Sequence, residues 1–114
     1  MIRNEDCIKI INDKNILRDN AIIKIEIILE GKINVSLTIE KDNSKIAKLN
    51  LNNVSEFSIS ADSIDAEGYL VTHYKLFESN SGFYFSFDPY DEIHEVNLDD
   101  NNFFHFEEIS LFFE

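Results

Sequence analysis

Between Ala21 and Leu51 apolar and polar residues alternate with a period of two, and no other pattern in the chain restricts its fold as strongly. Ala21, Ile23, Ile25, Ile27 and Leu29 take alternate positions, with Lys24, Glu26 and Glu30 between them. A period of two sends successive side chains to opposite faces, which is the signature of a half-buried strand. Glu30, Gly31 and Lys32 then give a tight turn, and the alternation resumes as Ile33, Val35, Leu37 and Ile39 against Asn34, Ser36, Thr38 and Glu40. The two segments read as a hairpin. Asp42, Asn43 and Ser44 mark the next turn, and Ala47, Leu49 and Leu51 alternating with Lys48 and Asn50 extend the hairpin to a meander. Phe57, Ile59 and Ala61 predict a shorter fourth strand before the polar stretch 62–68.

Beyond Gly68 the pattern changes. Tyr69, Val71 and Phe77 fall on one face and Leu70, Tyr74 and Leu76 on the other, so residues 69–77 predict a strand buried on both sides, central in its sheet. Asn80, Ser81 and Gly82 supply a hairpin turn into Phe83, Phe85 and Phe87, with Tyr84, Ser86 and Asp88 facing the opposite way. Residues 89–102 hold the single Pro and many acids and read as a surface loop, and residues 103–113 read as the last strand. Residues 7–17, with Ile8, Ile10, Ile11, Ile16 and Leu17, fit either an edge strand or a short helix, and the strand is the preferred reading. A chain of 114 residues supports one domain. The expectation is an all-β fold, an antiparallel β-sandwich or partly open barrel of about seven strands, with a short helix near the N-terminus as the alternative.

Charge is divided unevenly along this pattern. Residues 1–50 carry nine Lys and Arg against eight Asp and Glu, whereas residues 51–114 carry fourteen acids and one base, Lys75. Nine of the ten Phe also follow residue 76, so the aromatic core and the acidic surface are expected from the same half. A surface of this sign repels phosphate and attracts basic partners, which argues against direct binding to nucleic acid or to an anionic membrane face. The single Cys7 allows no internal disulfide, and Met1 to Asp6 lacks the basic, then apolar, pattern of a secretion signal. These features predict a cytoplasmic protein.

The densest set of function-capable side chains is Asp88, Tyr90, Asp91, Glu92, Glu95, Asp99 and Asp100, with His94 among them and no Lys or Arg. One reading is a surface for a basic protein, with the carboxylates steering it and Tyr90 as an aromatic anchor, and with Glu107 and Glu108 extending the patch. A calcium loop needs acids or amides at alternate positions, then Gly, then a distal Glu, and the run from Asp99 to Asn102 does not match. A glycosidase-like carboxylate pair needs a cleft that so small a domain rarely offers. The bland alternative is a solvated loop that keeps an aromatic-rich β protein soluble.

His73, His94 and His105 show no metal-ligand spacing with one another or with Cys7. A ribonuclease-like arrangement of His73 and Lys75 conflicts with the shortage of bases that a phosphate substrate requires. No basic neighbour activates Cys7, and phosphate-binding or dinucleotide motifs are missing with only three Gly present. The chain is therefore expected to be no enzyme and to hold no cofactor.

In size, acidity and β-rich class the chain resembles the small immunity proteins of bacterial polymorphic-toxin and contact-dependent growth-inhibition systems. The resemblance implies an antitoxin-like protein that binds a basic toxin domain, most often a nuclease, and blocks its active site. Two alternatives remain open: a nucleic-acid mimic that inhibits a DNA- or RNA-processing enzyme, and a small ligand-binding β-barrel with Tyr69, Tyr74 and Tyr84 lining a cavity. A monomer and a homodimer joined through an edge strand are both compatible with the pattern.

Overall fold

The structure, a computed structural model, describes residues 1–60, 64 and 67–114. A short β1 (Ile2–Arg3) leads into a helix, α1 (Asn4–Asp13), followed by the strands β2 (Ala21–Glu30), β3 (Lys32–Lys41), β4 (Ser44–Ser58), β5 (Tyr69–Leu70), β6 (Lys75–Ser79), β7 (Gly82–Asp88) and β8 (Asn101–Phe113). All strand pairs are antiparallel, and the order across the sheet is β5-β2-β3-β4-β8-β7-β6, with β1 added to β8. One sheet curled into a half-barrel thus replaces the two-layer sandwich. The all-β reading and the partly open barrel hold.

From Val35 to Leu51 the alternation has the consequence it predicts, whereas in β2 a bulge between Ile22 and Lys24 breaks the predicted row and buries Ile22 in place of Ala21 and Ile23. Leu37 of β3 lies opposite Leu49 of β4, which lies opposite Leu111 of β8, and Val35, Leu51 and Ile109 form the next such row. All six are buried, and each removes enough apolar area to contribute about 1.5 to 3 kcal/mol. From the other half of the chain Phe85, Phe87 and Phe104 fill the same core. The expected fourth strand is instead a continuation of β4, which passes a register shift between Val54 and Glu56 and pairs with β8 as far as Ser58. Asn53 there has a left-handed φ of 55°, and such a bulge increases local coiling, which a curled sheet needs. Ala61 of that expected strand lies outside the described residues.

Two expectations are corrected. The N-terminal segment is helical, because Cys7 and Ile11, one turn apart, both point into the core, while Glu5 and Asp6 sit in the first turn where the helix dipole favours acids. The run 69–77 is no central strand. It breaks into β5 and β6, which are the two opposite edges of the sheet. Leu70 and Lys75 are five residues apart and at most about 18 Å of chain can separate them, so the link 71–74 forces the sheet to curl until its edges face each other.

That seam is sealed by the segment after α1. The Asp19 amide donates to the Val71 carbonyl at 2.7 Å, the Val71 amide donates to the Asn20 carbonyl at 2.9 Å, and Leu17 is buried beneath them. Across the interior Tyr69 meets Phe87 edge-to-face with ring centroids 5.1 Å apart, and burial together with the nearby Asp88 carboxylate raises its phenol pKa. No helix among the described residues is long and apolar enough to cross a membrane.

Candidate functional site

Strand β7 is buried on both faces: Phe83, Phe85 and Phe87 face the core, and Tyr84 and Ser86 on the outer face are equally inaccessible. The cover on that outer face is the connection 89–100, which folds back over β6 and β7 after Asp88. Aromatic Tyr84 and the lone base Lys75 are its foundation.

Lys75 has its side chain fully buried, and its Nζ lies 2.8 Å from Asp91, 3.0 and 3.1 Å from the two oxygens of Asp100, and 2.9 Å from the Glu95 carbonyl. Asp100, also buried, accepts further hydrogen bonds from the Tyr84 hydroxyl at 2.8 Å and from the amides of Tyr90 at 2.9 Å and Asn97 at 3.0 Å. One carboxylate therefore gathers both ends of the loop onto the sheet. Burial alone would raise the Asp100 pKa, but the two amides, Lys75 and Tyr84 together hold it below the usual carboxylate range. Burial alone would lower that of Lys75, and Asp91 and Asp100 outweigh it, keeping the ammonium charged. Burial, reinforced by Asp100, raises the Tyr84 phenol far above neutral pH.

Two further attachments hold the loop at its side. Arg18 pairs with both carboxylate oxygens of Glu92 at 2.9 and 3.2 Å, donates to the Thr72 carbonyl and lies over the Tyr74 ring, so it ties loop, seam and helix connection together. Its fork keeps the Glu92 carboxyl below its ordinary pKa. His94 stacks on Phe77 with ring centroids 5.7 Å apart.

The expected acidic patch therefore separates into two kinds of residue. Asp100 is buried, Asp91 is held by Lys75, and the exposed Glu92 is held by Arg18, so these three are paired within the chain, while Asp88 is half-buried at the end of β7. Glu95 and Asp99 remain exposed, as does Tyr90. Beside them the loop presents Ile93, Val96 and a fully exposed Leu98, none of which the acidic pattern singled out. Glu107 and Glu108 are exposed but belong to another region. Asp88 pairs with Asn101 at one end of the β7–β8 ladder and Phe83 with Phe106 at the other, so these two acids lie about 20 Å along β8 from the loop.

The other chemistry-bearing side chains are placed apart. His73 is exposed 3.8 Å from Glu92, whereas the Lys75 side chain is fully buried, and His105 lies 3.6 Å from Glu56. Cys7 is buried in the core, and burial pushes its thiol up to about 12, which leaves it protonated at neutral pH. Among the described residues no three His, Cys, Asp or Glu side chains converge as metal ligands. Of the three tyrosines expected around a cavity, Tyr69 lines a cleft of about 400 Å³ beside β2. Tyr84 is under the loop, and Tyr74 donates to Asn12.

Lys75, Tyr84 and Arg18 are the positions that sequence reasoning missed as organisers of the loop. One signal was present: the only base among fourteen acids, flanked by Tyr74, Leu76 and Phe77, has to be paired if it is buried. No family model matches the chain, and comparison with curated proteins and with solved structures gives no match.

Proposed function

We propose that this protein is a non-enzymatic, antitoxin-like inhibitor that works in the cytoplasm by docking its 89–100 loop onto a basic protein, with a nuclease toxin domain as the partner class. The observation that carries this reading is the rigid presentation of Tyr90, Ile93, Val96 and Leu98 in water beside Glu95 and Asp99, on a loop fixed from below by Asp100 and from the side by Arg18. Soluble domains do not usually spend four apolar side chains on one exposed loop without a partner to cover them. A loop ordered in advance loses little entropy on binding, apolar anchors supply the affinity, and the surrounding carboxylates speed the encounter with a basic surface. Occlusion of the partner's phosphate-binding face then suffices for inhibition.

The test is binding to a basic nuclease toxin domain recovered by co-purification at low and at moderate salt. Leu98→Ala with Ile93→Ala should weaken the complex at least about tenfold, mainly through faster dissociation. Glu95→Gln with Asp99→Asn should slow association and flatten its salt dependence. Affinity and salt dependence unchanged in both variants would remove the loop from the interaction.

A further inference from the structure

The opposite edge of the sheet presents a second unfinished surface. Strand β5 covers β2 only at Ala21 and Ile22, and among the described residues nothing pairs with the outer edge of β2 from Lys24 to Glu30. Ile27, Ile28 and Leu29 on that stretch are exposed, and Ile25 and Ile27 line the cleft of about 400 Å³ together with Ile59, Ile64 and Tyr69. Among the described residues this stretch of seven is unpaired on its outer side, with apolar side chains on its core-facing side, and such an edge is a template for another strand.

We propose that this edge pairs with the same edge of a second copy of the chain, antiparallel about a two-fold axis at Ile27. The side-chain sequence selects that partner and that register. Centred on Ile27, Lys24 of each copy stands opposite Glu30 of the other, Ile25 opposite Leu29, and Glu26 opposite Ile28. Both core-facing rows then stay on one face, and each Leu29 is carried towards the cleft beside Ile25 of its neighbour. Centring on Glu26 places two Glu26 carboxylates face to face, and centring on Ile28 sets Glu26 against Glu30 twice. Registers centred between residues turn the apolar row of one copy to the outer face of the other. A centre at Ile25 needs the edge at Ala21 and Ile22, which β5 occupies.

Long-range charge agrees. A chain of net charge −12 resists self-association, but residues 1–50 carry nine bases against eight acids, and Lys24 and Lys32 offset Glu26 and Glu30 around this edge. Two copies can meet here without opposing their acidic halves. The edge shares no residue with the 89–100 loop, so the dimer stands or falls independently of the inhibitor reading.

The experiment is sedimentation equilibrium of the full chain, wild type against Lys24→Glu, Glu30→Lys and the double variant, with far-ultraviolet circular dichroism confirming the fold of each. Both positions are exposed, so the fold is expected to survive. The wild type should form a dimer with a dissociation constant in the micromolar range, as expected for about seven paired residues a side. Each single variant converts two attractive cross-strand pairs into two repulsive ones and should weaken the dimer roughly tenfold or more. The double variant restores opposite signs and should recover it. A wild type that stays monomeric up to roughly 500 μM, single variants that dimerise as well as the wild type, or a double variant that fails to recover would each overturn the proposal.

Discussion

At the residue scale, the molecule turns on how Lys75 is buried. Taking an ammonium out of water is expensive, and here two carboxylates and a carbonyl surround it, while Asp100 in turn satisfies Tyr84 and two amides. Removing one partner of such a cluster costs more than the pair itself contributes, because the other charge is left unpaired. Lys75→Met should therefore destabilise the fold by about 3 to 5 kcal/mol in a denaturant titration. Tyr84→Phe deletes one hydrogen bond to a charged acceptor and should cost about 1.5 to 3 kcal/mol. Hydrogen exchange offers the local readout: the Tyr90 and Asn97 amides, which donate to Asp100, should lose protection in Lys75→Met while amides of β3 keep it in native conditions. Equal loss at both places would mean that the cluster holds the whole domain and not the loop in particular. The cluster was only half legible beforehand. Acids crowded into residues 88–100 were plain, but a sequence shows neither which of them turn inward nor that a lysine in a distant strand collects them.

At the scale of elements, the strands written by strict alternation emerged with their turns where expected, since β3 and the first half of β4 each set one apolar row into the core, although Ser36 and Thr38 on the other face of β3 are buried as well and β2 is buried only at Ile22. Residues 69–77 misled because apolar side chains on both faces fit two situations. One is a central strand; the other is a chain that leaves one edge, crosses a seam and enters the opposite edge, buried by different neighbours at each step. The N-terminal helix was masked by its isoleucines, which are β-branched and favour strands locally, although Cys7, Ile8, Ile10 and Ile11 follow helical spacing. Packing of Cys7 and Ile11 against the core decided the matter. The edge strand β5 depends on a close approach at Gly68, where φ is 100° and a Cβ would stand 2.5 Å from the Ile22 carbonyl oxygen. Gly68→Ala should destabilise the protein by about 1 to 3 kcal/mol. Chemical shifts of Ala21 and Ile22 should report the loss of β5 pairing, and a thermal midpoint unchanged from wild type would show that the seam closes without it.

For the whole molecule, acidity and stability are linked through the paired carboxylates. Arg18 holds the Glu92 pKa below its ordinary value, Lys75 does the same for Asp91, and the amides, Lys75 and Tyr84 do so for Asp100 against its burial. With the folded values depressed, this contribution is complete above the unfolded values and is lost as pH falls through the folded ones, because the unfolded chain takes up protons first. Stability should thus hold its level from neutral pH to about pH 5 and then fall progressively below about pH 4. Urea titrations across that range check the sign; stability that rises below pH 4 would show that these pairs do not hold the fold.

By itself the sequence determined the antiparallel β class, the hairpins of the first half, the common origin of aromatic core and acidic surface, and the loop 89–100 as the place where charge gathers. These follow from local periodicity and composition, which act at every residue regardless of what lies across the fold. Tertiary structure alone decided that one sheet curls with β5 and β6 as its edges, that the N-terminal segment is a helix, and that Asp100 and Lys75 are buried while Ile93, Val96 and Leu98 are exposed. The physical reason is common to all three. Each depends on which neighbour arrives from far along the chain, and the free energy of burying or pairing a side chain belongs to the contact, not to the residue.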